Sequence, residues 1–173
     1  MQLDGLQAQH QFHVRQRIRM MVNQYEVRAV AADGTEGALL AFAQQKRLAF
    51  KARQRLDLGA TYDVTDHAGT PIGLFRKDFT QSLFRSTWHV EQAGLPQITG
   101  QERSMPVALL RRFVDSLSWL PYHFDFTAGG QPVFSVIKQW GLRDRYVVEV
   151  PHPQIDRRLV IAMAIGLDAL QGR

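Results

Sequence analysis

The chain has 173 residues, 45% of them hydrophobic and 21% charged, which fits one folded domain and excludes a disordered or fibrous chain. Its 21 Lys and Arg against 16 Asp and Glu give a net charge of +5, an excess that favours anionic partners only where it clusters. Cysteine is absent, which removes disulfide frameworks and thiolate metal sites.

The first residues, "MQLDGLQAQHQF", carry no basic segment followed by an apolar run, so no secretory signal is read there. Residues 1–11 are read as a tail and 12–173 as a single domain. From Phe12, "FHVRQRIRM" alternates Val14, Gln16, Ile18 and Met20 against Arg15, Arg17 and Arg19, the period of a strand. "YEVRAVAADGTEGALLAFAQ" follows as a hairpin turning at Asp33-Gly34. "FKARQRL" then alternates Phe50, Ala52 and Gln54 against Lys51, Arg53 and Arg55.

Three more closely related hairpins come next. "YDVTDHAGTPIGLFRK", "WHVEQAGLPQITGQE" and "FDFTAGGQPVFSVIK" each open on aromatic-x-Val or aromatic-x-Phe, turn at glycine and proline, and re-enter an alternating run. The alternation sends Tyr62 and Val64, Trp88 and Val90, and Phe124 and Phe126 to the core. It sends Asp63 and Thr65, His89 and Glu91, and His123 and Asp125 to water. Between the second and third of these, "MPVALLRRFVDSLSW" places Val107, Leu110, Val114 and Leu117 on one helical face. Trp119 to Tyr122 form an aromatic exit, read as a packed corner in preference to a membrane-dipping edge. "RYVVEV" closes the β region before Pro151 and Pro153, bringing the strand count to about eleven.

The last element is "DRRLVIAMAIGLDAL", with Asp156 as its N-cap. From Leu159 to Leu167 it holds no charge and no hydroxyl. That run covers about 13 Å, far short of a bilayer core. A helix apolar all round demands burial on all sides. A closed barrel supplies that; a two-layer α+β domain, with the helix between a sheet and the 106–119 helix, is the alternative. Cationic Arg157 and Arg158 at a helix start call for partners such as Asp156.

The order of these motifs resembles one family. "GLRDRYVVEVPHPQIDRRLVIAMAIGLDAL" is similar to the C-terminal segment of LURP-one-related proteins, which belong with tubby C-terminal-like domains and phospholipid scramblases. Gly141, Tyr146, Val148, Val150, Pro151, Asp156 and Asp168 carry the likeness. "YDVTDHAGTPIGLFRK" resembles the middle hairpin of that family, and the similarity runs from about Phe12 onward. The resemblance implies a mainly β (α+β) fold: a closed antiparallel β-barrel of about twelve strands around a central hydrophobic C-terminal helix. It also implies phosphoinositide binding in tubby-like members, and calcium use with lipid-modified cysteines in scramblases. This chain has no cysteine, and only Asp144, Glu149 and Asp156 lie near its last helix, so calcium-driven scrambling is not expected. No agreed enzymatic activity comes with the resemblance, so no catalytic residues are carried over.

The basic faces are the candidate site. Arg15, Arg17, Arg19, Lys51, Arg53 and Arg55 form two stripes that would bind phosphate if their strands were near each other; otherwise they are solvated surface. The expectation is a non-enzymatic, cytoplasmic barrel, peripheral at a membrane, that binds anionic phospholipid headgroups. The alternative is a scaffold docking an acidic protein. Nucleic acid is disfavoured, because aromatic residues do not interleave the basic runs. No metal or cofactor is expected: HxH, HExxH and CxxC are missing. His89/Glu91 with His123/Asp125 would make a metal site only on neighbouring strands.

Overall fold

A computed structural model of the chain describes residues 3–8, 10–15, 24–30, 36–45, 61–78, 86–103, 122–138 and 145–171. A short helix α1 (Leu3–Gln7) precedes ten strands. These are β1 (Gln11–Arg15), β2 (Gln24–Val30), β3 (Glu36–Gln45), β4 (Thr61–Thr65) and β5 (Pro71–Asp78). They continue with β6 (Thr87–Glu91), β7 (Ile98–Glu102), β8 (His123–Ala128), β9 (Gln131–Lys138) and β10 (Arg145–Glu149). The chain ends in helix α2 (Arg157–Gln171).

All ten strands belong to one antiparallel sheet, ordered β1-β10-β9-β8-β7-β6-β5-β4-β3-β2. From β2 to β10 each strand pairs with its successor, so the hairpin reading of the sequence holds. The alternation holds too. Tyr62, Val64, Phe75, Trp88, Val90, Ile98, Phe124, Phe126 and Val136 are all buried on one face. Aromatic rings line that face: Tyr62 stacks on Phe75 at 5.1 Å, and Phe126 on Phe134 at 4.1 Å.

Helix α2 packs against this inner face. It lies beside β5 in the middle of the strand order, beside β2 and β3 at one end, and beside β1 and β10 at the other. A sheet whose two ends both reach one helix is curled around it. Leu159, Val160, Ala162, Met163, Ala164, Gly166 and Leu167 are buried, while Ile161 and Ile165, four apart and so on one side, are only partly covered. Burying Leu159, Val160, Met163 and Leu167 contributes roughly 6–12 kcal/mol before entropy is charged against it.

Of the expected barrel, the described residues show a curled, ten-stranded antiparallel sheet packed around the terminal helix. Closure and a count of about twelve strands go beyond the described residues, among which no β1–β2 pairing occurs. The expected 106–119 helix, the "FKARQRL" strand and residues 16–20 of the first strand lie outside them. Residues 1–11, read above as a tail, contribute to the packed domain: Leu6 is 2% exposed in the core, and β1 starts at Gln11. Two leucines, Leu3 and Leu6, among polar neighbours are too few for a periodicity from which to read this.

Candidate functional site

Antiparallel order gives the sheet two distinct ends. At one, tight turns join β4 to β5, β6 to β7 and β8 to β9. Gly69, Gly94, Gly129 and Gly130 take positive φ in these turns. The β2–β3 connection and the entry to α2 lie at this turn end as well. The other, far end carries Arg15, Gln24, Gln45, Thr61, Asp78, Thr87, Glu102, His123, Lys138 and Arg145.

Of the six predicted basic residues, Arg15 ends β1 at the far end, in register with Arg145. Arg17, Arg19, Lys51, Arg53 and Arg55 lie outside the described residues. Their flanks are described: segment 16–23 leaves the far end at Arg15 and returns at Gln24, and segment 46–60 leaves it at Gln45 and returns at Thr61.

The far end has its own arrangement of cations over rings. Lys77 follows Phe75 on the inner face by alternation, and its Nζ sits 5.7 Å from the centre of the Trp88 ring. Lys138 Nζ sits 5.6 Å from the Tyr122 ring and 5.9 Å from Tyr146. Glu102 is buried on the same inner face, 1% exposed. Neither Lys77 nor Lys138 stands out in the sequence; alternation from Phe75 and Val136 puts them on the inner face, and only the folded sheet brings them to one rim.

The outer face near this end holds two carboxylates, Asp78 and Asp125, each met by basic side chains. His89 Nε2 is 3.1 Å from Asp78 Oδ2. Arg103 donates to both oxygens of Asp125, at 2.7 and 2.8 Å, and His123 Nε2 lies 3.1 Å from the same carboxylate. The Asp125 hydrogen bond raises the Arg103 guanidinium further above its usual value. Burial pushes the His123 imidazole below its ordinary value, and the nearby Asp125 charge does not overcome it. Strand β7 runs between β6 and β8. The pairs His89/Glu91 and His123/Asp125 are therefore not brought together, and no metal-ligand cluster occurs among the described residues.

At the turn end, the start of α2 is closed by side chains from three directions. Asp156 accepts the Arg158 N–H at 2.9 Å as the predicted N-cap. Gln7 Oε1 accepts the Arg157 N–H at 3.1 Å, and Gln92 Oε1 accepts the Asp156 N–H at 2.8 Å. Gln7 Nε2 donates back to Asp156 Oδ1 at 2.9 Å. Arg158 grips Asp156 with its Nε and Nη2, the latter at 2.6 Å. Burial alone would raise the Asp156 carboxyl; hydrogen bonds from Arg158 and Gln7 outweigh it and hold the group below its usual range. Arg157, 1% exposed, turns inward and donates to the carbonyls of Pro153 and Ile155, both at 2.8 Å. A shallow cleft beside this cluster is lined by Asp66, Thr70, Gln92, Asp156 and Arg158. Because the leading N–H groups already have acceptors, this helix start is not an open anion site.

No helix among the described residues is long and apolar enough to cross a membrane. A family model of LURP-one-related proteins matches residues 10–168. No curated protein and no solved structure matches the chain.

Proposed function

The chain belongs to the LURP-one-related family, and from that premise we propose that it is a closed, tubby-like barrel that binds anionic phospholipid headgroups at a membrane surface and catalyses no reaction. Contact of α2 with both end strands supports closure, since β1 and β2 flank one helix from opposite ends of the strand order. Closing the ring sets β1 beside β2, with β3 next. The segment holding Arg17 and Arg19 and the one holding Lys51, Arg53 and Arg55 are then anchored on adjoining strands at one end.

That shared anchorage is the observation that carries the reading. Two stripes at opposite ends of the molecule would be solvated surface. Two tethered at one end supply guanidinium and ammonium groups from that same end, and such groups suit phosphate. The second reading, a scaffold docking an acidic protein, uses the same cluster.

Vesicle cosedimentation separates them. The protein should sediment with vesicles of phosphatidylcholine and phosphatidylserine at low salt, and release as salt rises. Reversing charge at Arg15, Arg17, Lys51 and Arg53 should abolish sedimentation. Equal binding to pure phosphatidylcholine, or no binding to either, would remove the headgroup reading.

A further inference from the structure

We infer that Arg15 and Arg145 together hold one phosphomonoester at the far end of β1 and β10. This rests on the headgroup reading for its lipid and deepens it, by naming a seat for the phosphate and the charge class that the seat prefers.

The register carries it. Arg15 and Arg145 stand directly opposite each other in the β1–β10 ladder. With histidine counted as neutral, every other direct cross-strand pair among the described residues sets a charged residue against a neutral one, or two neutral ones together. Directly opposed residues lie about 4.5–5.5 Å apart at Cα, and like charges so placed destabilise a sheet. Elsewhere the outer face settles its charges locally: Arg76 lies 3.7 Å from Glu91, and Arg103 holds Asp125. A local rule broken at one position, and kept at the others, points to a function there.

The neighbourhood has the same sign. Tyr146, next to Arg145, is buried on the inner face, so alternation puts Arg145, and Arg15 opposite it, on the outer face. Lys138 ends β9 in register with Tyr146, its ammonium 5.9 Å from that ring. Three adjoining strands thus end on Lys138, Arg145 and Arg15. Among the described residues of these strands the one acidic residue is Glu149, at the turn end of β10 in register with Gln11. Arg145 belongs to neither basic stripe, and only the pairing of the first strand with the last brings it to Arg15.

The ligand class follows from charge and shape. Each guanidinium is a planar fork that engages two acceptor oxygens. A phosphomonoester offers three terminal oxygens and a charge of about −1.5 to −2 at neutral pH, which balances two arginines. A phosphodiester or a carboxylate carries a single charge and leaves one arginine unbalanced.

Thermal unfolding and vesicle partition test the seat. Inorganic phosphate should raise the thermal midpoint of the natural chain above its value in chloride of equal ionic strength, and the rise should vanish in Arg15→Gln and Arg145→Gln. Without phosphate both variants should melt about 1–3 °C above the natural chain, because the repulsion is gone. Phosphatidylcholine vesicles containing phosphatidic acid should bind the natural chain more tightly than vesicles of matched surface charge containing phosphatidylserine. Each Gln variant should lose that preference and about fivefold in partition, the equivalent of ~1 kcal/mol per charge. Arg145→Lys, which keeps the charge without the fork, should lose the preference and retain most of the partition. Arg76→Gln, away from this corner, should change partition less than twofold.

A lowered midpoint in both phosphate-free Gln variants would make the arginines counter-ions of a carboxylate in the chain, such as Asp144 beside Arg145, and overturns the seat. Equal partition of the natural chain to the two lipids overturns the monoester assignment. Vesicle binding that the Gln variants leave unchanged overturns the seat and leaves the headgroup reading standing. A phosphate response without binding to either vesicle keeps the seat, as one for free phosphomonoesters, and removes the headgroup reading; no response of either kind removes both.

Discussion

Gly166 of α2 faces the ring of Phe75 in β5 so closely that a Cβ built on it would lie 2.7 Å from a ring carbon. Glycine inside a helix ordinarily costs about 1 kcal/mol relative to alanine. Here the expected sign reverses. A methyl group cannot fit against a ring that is itself fully buried and stacked on Tyr62, and overpacking costs about 1–3 kcal/mol. Gly166→Ala should therefore lower the thermal midpoint, and Phe75→Leu in the same chain should restore part of the loss. A raised midpoint for the single variant would show that the helix and β5 are not held at this distance. Gly73 mirrors the contact from the sheet side, where a Cβ would meet Leu159 and the backbone oxygen of Glu91.

The cluster at the start of α2 predicts a pH dependence. The Asp156 carboxyl has its folded pKa depressed, so its contribution is complete above the ordinary value of 3.8 and is lost as pH falls through the folded value. Asp156→Asn keeps an N-cap but cannot ionise. Urea titration should show the natural chain more stable by about 1–2 kcal/mol at neutral pH, because a charge-assisted bond to Arg158 is lost in the variant. Below about pH 4 the gap should close as the natural carboxyl protonates. A gap unchanged at pH 3 would mean that the ion pair contributes nothing. Gln7→Ala should cost about 1 kcal/mol at neutral pH. Part of that cost should fade as Asp156 protonates, because Gln7 Nε2 donates to its carboxylate, while the part due to the Arg157 N–H does not titrate.

Most of the frame was legible in the sequence because it is written in short-range patterns. Tyr62/Val64, Trp88/Val90 and Phe124/Phe126 announce their buried face by alternation, and Asp156 announces a helix start by position. The apolar run from Leu159 to Leu167 announced burial on all sides, and the fold falls short of that only at Ile161 and Ile165, which are partly covered. What pattern cannot supply is long-range pairing. Gln7 and Asp156 are 149 residues apart, and Gln92 and Asp156 are 64 apart. A glutamine that caps a distant helix looks in sequence like any other glutamine. Buried Arg157 was hidden for the same reason: its acceptors are the carbonyls of Pro153 and Ile155, and carbonyls leave no mark in a sequence. The candidate site divides likewise. The two basic stripes are visible as residues, but their common end follows only from strand order.

His123 gives the last prediction, one about titration rather than stability. Burial lowers its pKa most; Asp125 pulls it up, Arg103 pushes it down, and Glu149 pulls weakly up. The folded value therefore lies below that of a free histidine. The neutral ring is the form the fold favours, and its contribution is complete above the ordinary value of 6.5 and declines as pH falls toward the folded value. Arg103 acts on the ring through Asp125, since it occupies both oxygens of the carboxylate that His123 also approaches. Replacing Arg103 by Gln removes a positive charge and frees the carboxylate, and both changes favour the imidazolium. The His123 pKa read from ring-proton NMR should move upward in Arg103→Gln. In Asp125→Asn it should move further down, because the one strongly attractive charge is gone while burial stays. If both variants shift the resonance in the same direction, the three groups do not form the coupled cluster that their distances describe.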